Sequence, residues 1–218
     1  MRRPVSALLL AGAALTAAPV HAGDPFDTLS ITKGELARLP VYCPHAWGYV
    51  HRGWGSWAER ERWDERLGPT MRHMHHYCWS ILKYNRAHGV GVSAQLRDAL
   101  IESAIVEAHY LIDRAPADYI FLPEALHRVG IYNFELGRWL VALDYFERAR
   151  TIKPDYWPPY VEMANVNMSV GRKEQAIAAL RAGLQVMPDE EKLKEALKRI
   201  EAAPAQAARK ETQGARQP

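Results

Sequence analysis

The feature that most constrains the fold is a segment, residues 123–156, whose pattern is repeated directly after it in residues 157–190. The two segments align without a gap. Glycine, alanine, apolar and proline residues recur at matching places: Gly137 with Gly171, Ala142 with Ala176, Phe146 with Leu180, Ala149 with Gly183, Ile152 with Val186, and Pro154 with Pro188. Periods of this length are typical of arrays in which no unit can bury its apolar face alone. The sequence therefore predicts a short stacked array that needs capping segments at both ends.

Each of the two units has the composition of a pair of antiparallel helices. Gly137 and Gly171 allow the positive φ that a tight turn between two helices requires. Pro154 and Pro188 end the second helix and restrict the link that follows it. Small residues on both sides of the turn let the two helices approach each other closely.

These positions resemble the tetratricopeptide repeat in both units, and residues 40–190 resemble exported bacterial proteins that carry this repeat. The match includes the small residues Gly130 and Ala164. It departs from the family at Asn133 and Asn167, where tyrosine is usual. The resemblance implies an all-α fold, a short α-solenoid of antiparallel helix hairpins.

The resemblance also implies a binding surface, because the first helix of each tetratricopeptide repeat lines a concave groove that holds a protein or peptide. The corresponding residues are Glu124, His127, Ile131, Phe134 and Glu135 in the first unit, and Pro158, Val161, Asn165, Met168 and Ser169 in the second. This set lacks the Lys/Arg pairs that clamp a terminal carboxylate in some relatives. Alternatively, the protein fills its own groove with its N-terminal cap or with Tyr156, Trp157 and Tyr160.

Two segments precede the units. Residues 69–122 are predicted to form a helical hairpin, a degenerate repeat in which Ser93 is the N-cap of the second helix. Residues 23–68 are rich in Trp, Gly and Pro. They predict a loop-rich cap with one short helix near 56–66.

Two segments follow the units. Residues 191–203 are predicted to be a capping helix, with Leu193, Leu197 and Ile200 on one face. Residues 204–218 are polar and rich in Ala and Gln, and this composition predicts a disordered tail.

Residues 1–22 have the pattern of a cleaved signal peptide: Arg2 and Arg3, then an apolar run, then small residues before a cut after Ala22. A retained N-terminal anchor is the alternative. The mature chain is predicted to be periplasmic or secreted, with no transmembrane segment. Its formal charge is near +1, because two of the three net positive charges of the whole chain are Arg2 and Arg3. This charge gives no electrostatic case for binding nucleic acid.

Cys43 and Cys78 are the two cysteines of the chain. Two cysteines in an exported protein usually pair, which predicts a disulfide. Closing a loop of this length stabilises a fold by about 3–4 kcal/mol on the chain-entropy model. The alternative is a pair of free thiols that act as ligands.

The stretch RHMHHYCW, residues 72–79, has the composition of a metal site. On an α-helix His73 and His76 share one face, while His75 and Cys78 share another. A zinc or copper site needs three or four ligands, so His45 or His51 would have to complete it. The alternative is structural: His75 and Trp79 pack around the disulfide, and His73 and His76 face solvent or the cap.

Catalysis is not predicted. A nucleophilic pair of Cys78 and His75 requires a reduced thiol, which conflicts with export. The tryptophans of the cap, such as Trp54 and Trp57, suggest a second alternative, an accessory protein of a polysaccharide system. The sequence favours a non-catalytic periplasmic adaptor that binds a protein or peptide and needs no cofactor. A copper- or zinc-binding protein is the first alternative. The sequence does not predict an oligomeric state.

Overall fold

The computed structural model describes residues 24–48 and 56–203, and within these ranges the chain is all-helical, without strands. The predicted signal peptide, His51, Trp54 and the predicted tail lie outside the described residues. The α-helices are α1 (Lys33–Leu36), α2 (Cys43–Trp47), α3 (Trp57–Leu67), α4 (Met74–Ala87), α5 (Ala94–Ile112), α6 (Leu122–Glu135), α7 (Trp139–Ile152), α8 (Pro158–Ser169), α9 (Lys173–Val186) and α10 (Glu191–Ala202). No helix in the described part combines the length and apolarity needed to cross a membrane.

The described residues of the N-terminal cap contain three helices, two more than predicted, and the two additional ones, α1 and α2, are very short. Helix α1 begins with a capping box, in which Thr32 and Glu35 each bond the backbone N–H of the other. Ser56 is the N-cap of α3, and its hydroxyl accepts from the N–H of Glu59. Isolated helices this short are not stable in water, so the cap depends on contacts with the helices behind it.

Arg86 of α4 provides one set of these contacts. Its guanidinium donates to the Glu35 carboxylate at 2.6 Å. It also donates to three backbone carbonyls of the first described segment, those of Pro25, Asp27 and Ser30. One arginine therefore holds the chain that leads into α1 against α4.

The Cys43–Cys78 disulfide, which the structure confirms, joins the first residue of α2 to the middle of α4. Both cysteines are fully buried. The bond lies in a core cluster that includes Met71, Met74 and Tyr77, which are completely inaccessible. The cross-link therefore joins the cap to α4 inside a shared apolar core.

The segment predicted as one helix from residue 69 is instead a 3-10 helix over Gly68–His73 followed by α4. Gly68 has a φ of 66° and ends α3. Pro69 then stands in the first turn, where its missing N–H costs no hydrogen bond. Across this change of helix type, His73 and His76 both contact Tyr110 of α5.

Helices α4 and α5 form an antiparallel pair, and so do α6 with α7 and α8 with α9. The hydroxyl of Ser93 caps α5 by accepting from the N–H of Leu96 at 3.2 Å, which confirms its predicted role. Three of the four helix ends in the second pair fall at the same alignment position as the matching ends in the third pair. They are Glu135 with Ser169, Trp139 with Lys173, and Ile152 with Val186.

The turn inside each of these two pairs is the same. Gly137 and Gly171 both have a φ of 78°. In each turn the N–H of the following arginine bonds a carbonyl of the preceding helix at 2.8 Å, that of Asn133 in one pair and that of Asn167 in the other.

Asn133 and Asn167 occupy the position where the repeat pattern expects tyrosine. Both side chains are buried, and the amide of each donates at 2.8 Å to a carbonyl four residues earlier, Val129 or Met163. Since a buried amide must be hydrogen-bonded, the repetition of the same bond explains how asparagine is accommodated at both places.

Helix α10 covers the open end of the array. It buries Leu193, Ala196 and Ile200 against α9 and α8, and Leu197 packs beside them. At the start of α9 the ammonium of Lys173 donates to the carbonyls of Glu201 and Ala203 at the end of α10.

The two helices of the first repeat unit approach each other closely at Gly130. A Cβ added there would lie 2.4 Å from a ring carbon of Phe146, closer than packed carbon atoms come. We expect Gly130→Ala to lower the free energy of unfolding by about 1–2 kcal/mol, because overpacking outweighs the gain of about 1 kcal/mol in helix propensity. Urea denaturation measures the change.

Gly34→Ala is the matched control, because Gly34 lies in α1 with no atom within 4 Å of the added Cβ. We expect this variant to be as stable as the wild type or slightly more so. In the Gly130→Ala background, Phe146→Leu should cost less than it does alone, because the two sites are in contact. Additive effects would contradict the close approach.

Candidate functional site

The ten residues predicted to line a groove lie on α6 and α8, and each is at least partly exposed. Helices α6 and α8 contact each other. Glu135 and Ser169 are the most exposed of the ten and stand at the C-terminal ends of the two helices. The structure thus places the predicted set on two adjacent helices.

Several of these residues also have internal partners. Ile131 and Phe134 pack against the buried cluster around Phe146. Glu135 accepts hydrogen bonds from the Tyr84 hydroxyl and from His88, the latter at 2.9 Å.

On α8 the internal contacts continue. Val161 and Met168 pack on the core of the third helix pair. The side-chain carbonyl oxygen of Asn165 accepts from Arg199 of α10 at 3.2 Å. The middle of the predicted surface therefore contributes to packing. The polar side chains of the predicted set that remain, Glu124 and His127, lie in the N-terminal half of α6.

A polar cluster forms where the N-terminal half of α6 meets the cap and the link into α8. We call it the Arg128 cluster. It consists of two charged residues, one histidine and five tyrosines: Glu124, Arg128, His127, Tyr42, Tyr77, Tyr119, Tyr132 and Tyr156. Of this set, only Glu124, His127 and Tyr156 were singled out by their positions in the sequence. No spacing in the sequence links Tyr42 of the cap to α6.

Arg128 is the centre of the cluster. Its Nε–H lies 3.0 Å from both the Tyr77 hydroxyl and a carboxylate oxygen of Glu124, one turn earlier on α6. A second guanidinium nitrogen is also 3.0 Å from Glu124. The side chains of both charged residues are 30% exposed, so the ion pair reaches the surface.

Tyr42 and Tyr119 place hydroxyl groups in the cluster that have no hydrogen-bond partner within the described residues. The two side chains are only 5% and 6% exposed. Their rings flank Phe121, with centroid distances of 5.0 Å from Tyr42 and 6.1 Å from Tyr119. A buried hydroxyl without a partner is unfavourable for folding, so each such group calls for an explanation.

His127 contributes a third polar atom without a partner. Its Nδ1 lies 3.4 Å from the hydroxyl of Tyr156, and its ring contacts Phe146. The other ring nitrogen, Nε2, is buried and has no hydrogen-bond partner in the described part of the chain. If the Tyr156 hydroxyl donates to Nδ1, the neutral ring carries its proton on Nε2 and offers a donor.

Burial and the central ion pair set the protonation of the cluster. Burial raises the pKa of Tyr42 and Tyr119 far above the usual value, and it raises that of Tyr156 to about 12. The charge of Glu124 adds to the effect on Tyr42 and Tyr156. Burial, helped by the charge of Arg128, lowers the pKa of His127 to about 4. At neutral pH the hydroxyls are protonated, the imidazole is uncharged, and Arg128 balances Glu124.

The predicted histidine stretch contacts α5. The Nδ1–H of His76 donates to Glu107 at 2.6 Å, and the ring of His76 stacks on Tyr110 with centroids 3.5 Å apart. The other oxygen of Glu107 accepts from Lys83 at 2.6 Å. The pKa of Glu107 is raised by burial but lowered more strongly by the hydrogen bonds from His76 and Lys83, so that it lies below its usual value.

His75 packs beside this network. Its ring contacts Trp79, with centroids 4.8 Å apart, and its Nδ1–H donates to the carbonyl of Arg72 at 2.8 Å. Burial lowers the pKa of His75 to about 4, and the charge of His76 contributes to this shift.

The four predicted metal ligands do not come together in the described residues. His73 and His76 both contact Tyr110 of α5, whereas His45 contacts Trp63 of α3 and lies 3.9 Å from Glu59. In residues 24–48 and 56–203 no three His, Cys, Asp or Glu side chains converge as a metal site requires. His51 is not among these residues.

Of the two tryptophans predicted as a glycan surface, Trp57 is described and Trp54 is not. The ring of Trp57 is 72% exposed, and the guanidinium of Arg60 lies 4.4 Å from its centroid. Trp47 and Trp63 instead belong to the core of the cap, where Trp63 contacts Tyr42.

A separate cleft of about 590 Å³ lies between α7 and α9, with residues of α8 at its base. Ala178, Ala179 and Ala182 line it on the α9 side. This cleft is distinct from the Arg128 cluster, because it includes none of the residues that form the cluster.

No protein-family model matches the chain, and no curated protein is significantly similar to it. Function must therefore be argued from the arrangement of its own residues.

We expect the free energy of unfolding to fall as pH is lowered from 6.5 to 4. His75 has a folded pKa of about 4 against an ordinary value of 6.5, so the unfolded chain binds the proton more readily in this range. The loss from His75 is on the order of 3 kcal/mol, at about 1.4 kcal/mol per pKa unit. His127 acts in the same direction. Urea denaturation at several pH values measures the combined loss of unfolding free energy from the two histidines.

His75→Phe is the control variant, because it keeps an aromatic ring and removes the titrating group. Its stability should depend less on pH between 6.5 and 4 than that of the wild type. The loss caused by the lowered pKa of Glu107 begins near pH 4.5 and is common to both proteins, so it cancels in the comparison. Equal pH dependence in the two proteins would contradict the assignment.

Proposed function

We propose that the protein is a non-catalytic adaptor that binds a protein or peptide on the surface of α6 and α8. The observation that carries this proposal is the immediate repetition of one helix pair, with the same glycine turn and the same asparagine hydrogen bond. This repetition sets the first helices of the two pairs side by side. Adjacent helices with partly exposed side chains form the kind of surface on which repeat proteins bind extended partners.

We further propose that these two pairs are tetratricopeptide repeats. The small residues that the pattern requires are buried where helices approach, at Gly130 and Ala164 and at Ala142 and Ala176. The first pair, α4 with α5, is the degenerate member of the array. The likeness supports a binding role but does not name a partner, because one fold carries many functions.

The proposed compartment is the bacterial periplasm or the exterior. The Cys43–Cys78 disulfide supports it, because such bonds persist in oxidising environments and are rare in the cytosol. The sequence pattern of residues 1–22 agrees. We expect the mature chain to begin at Gly23, which the intact mass of protein recovered from its native host would test. A mass that includes residues 1–22 would contradict export with cleavage after Ala22.

We expect Ser169→Arg to abolish capture of the partner. The experiment is chemical cross-linking in native cells followed by affinity purification and mass spectrometry. Ser169 is exposed at the end of α8, so the substitution adds bulk and charge to the proposed surface without filling a buried space.

Ala178→Arg is the matched control, because Ala178 is exposed on α9 and lines the cleft on the other side of α8. It should leave capture unchanged. Loss of the partner with Ala178→Arg but not with Ser169→Arg would move the binding surface to that cleft. Absence of any partner that depends on either surface would refute the adaptor role.

A further inference from the structure

The Arg128 cluster contains three buried polar atoms that have no hydrogen-bond partner within the described residues. They are the hydroxyls of Tyr42 and Tyr119 and Nε2 of His127. A chain that buries a hydroxyl without a partner loses stability compared with one that has phenylalanine there. Two tyrosines, each more than nine-tenths buried, carry this cost beside one exposed ion pair. A ligand that reaches the pair would supply the missing partners.

The charges of the cluster restrict the chemistry of such a ligand. Arg128 and Glu124 neutralise each other, and the surrounding hydroxyls and imidazole are uncharged at neutral pH. An incoming carboxylate would meet the Glu124 carboxylate, and an incoming ammonium would meet the Arg128 guanidinium. Since like charges in a poorly solvated site repel strongly, an uncharged group is favoured over either ion.

The hydrogen-bonding groups restrict the ligand further. The Tyr42 and Tyr119 hydroxyls can donate, and so can Nε2 of His127 in the tautomer described above. The Glu124 carboxylate only accepts, and it has more lone pairs than its contacts with Arg128 use. A ligand group that bonds both these donors and the Glu124 carboxylate must accept hydrogen bonds on one side and donate them on the other. A primary carboxamide has this arrangement within one planar unit.

Exposed apolar residues adjoin Tyr42 and Tyr119 in the chain. Val41, which precedes Tyr42, is 76% exposed, and Ile120, which lies between Tyr119 and Phe121, is 66% exposed. Exposed aliphatic side chains next to both tyrosines suit a segment in which a polar side chain is flanked by apolar ones. This inference rests on the proposed function, because it takes the ligand to be a peptide segment.

We propose that the Arg128 cluster is the specificity pocket of the binding surface and takes the carboxamide side chain of a Gln or Asn residue flanked by apolar residues. The carboxamide oxygen accepts from the hydroxyls of Tyr42 and Tyr119. Its NH₂ group donates to Glu124, and Arg128 holds Glu124 in place.

The first test is stability. Tyr42→Phe and Tyr119→Phe remove hydroxyls that have no partner in the described residues, so each variant should melt at the wild-type temperature or above it. Tyr160→Phe is the control, because the Tyr160 hydroxyl donates to the carbonyl of Pro154 at 3.0 Å. It should melt at a lower temperature. Lower melting temperatures for Tyr42→Phe and Tyr119→Phe would show that their hydroxyls serve the fold and would overturn the proposal.

The second test is binding of the full mature protein to an array of peptides. Each peptide has one fixed central residue, Gln, Asn, Glu, Lys or Leu, and flanks varied among Leu, Val, Ala and Ser. The wild type should bind Gln or Asn peptides about tenfold more tightly than their Glu counterparts, which have nearly the same shape. In the Tyr42→Phe/Tyr119→Phe double variant this preference should fall to near unity.

The outcomes separate this inference from the proposed function. Peptide binding that depends on Ser169 but not on the central residue would overturn the carboxamide pocket and leave the adaptor role standing. A preference for Glu would overturn the pocket by reversing its charge argument. No binding by any peptide, together with no cross-linked partner in cells, would overturn both.

Discussion

The disulfide between Cys43 and Cys78 is the constraint on which the arrangement of the molecule depends. The helices of the cap are too short to be stable alone, and the cross-link fixes α2 against α4 in a dry core. Because Tyr42 immediately precedes Cys43, the same bond determines where that ring lies. The cap tyrosine reaches the Arg128 cluster as a consequence of the position of the disulfide.

The array and the cap contribute different things to the candidate site. Helix α6 supplies the ion pair and the imidazole, which are spaced along one stretch of helix. The cap supplies the Tyr42 hydroxyl, held rigidly because its ring packs against Phe121 and Trp63. Polar groups placed in this way have a fixed geometry before any ligand arrives. Such preorganisation reduces the entropy lost on binding.

Much of the fold could be predicted from the sequence, because periodicity and turn chemistry are local properties. The period of the two units, the Ser93 cap and the cysteine pair all depend on residue type and spacing. The histidine stretch was harder, because Gly68–His73 form a 3-10 helix where one continuous helix was predicted. The partners of His76 could not be predicted either, since Glu107 lies 31 residues away on a facing helix.

The Arg128 cluster was missed for a related reason. No common period in the sequence relates Arg128 to Tyr42, Tyr77 and Tyr119. Tyrosine is also common in apolar cores, so its presence alone does not indicate a polar site. Only the packing of the cap, α4 and the segment before α6 in one core brings their hydroxyls to one place. The one indication in the sequence was that Glu124 and His127 fall on the predicted binding face, which located the region without its chemistry.

The hydrogen bonds of Asn133 and Asn167 have a consequence for how this chain can vary in length. Each repeat unit satisfies its own buried amide within its first helix, and each closes its own turn with a glycine. Neither requirement reaches into the neighbouring unit. The number of units between the cap and α10 can therefore change in whole steps of one unit, while an insertion of a few residues inside a helix would break the match between adjacent helices. The molecule is modular along its axis and fixed at its two ends.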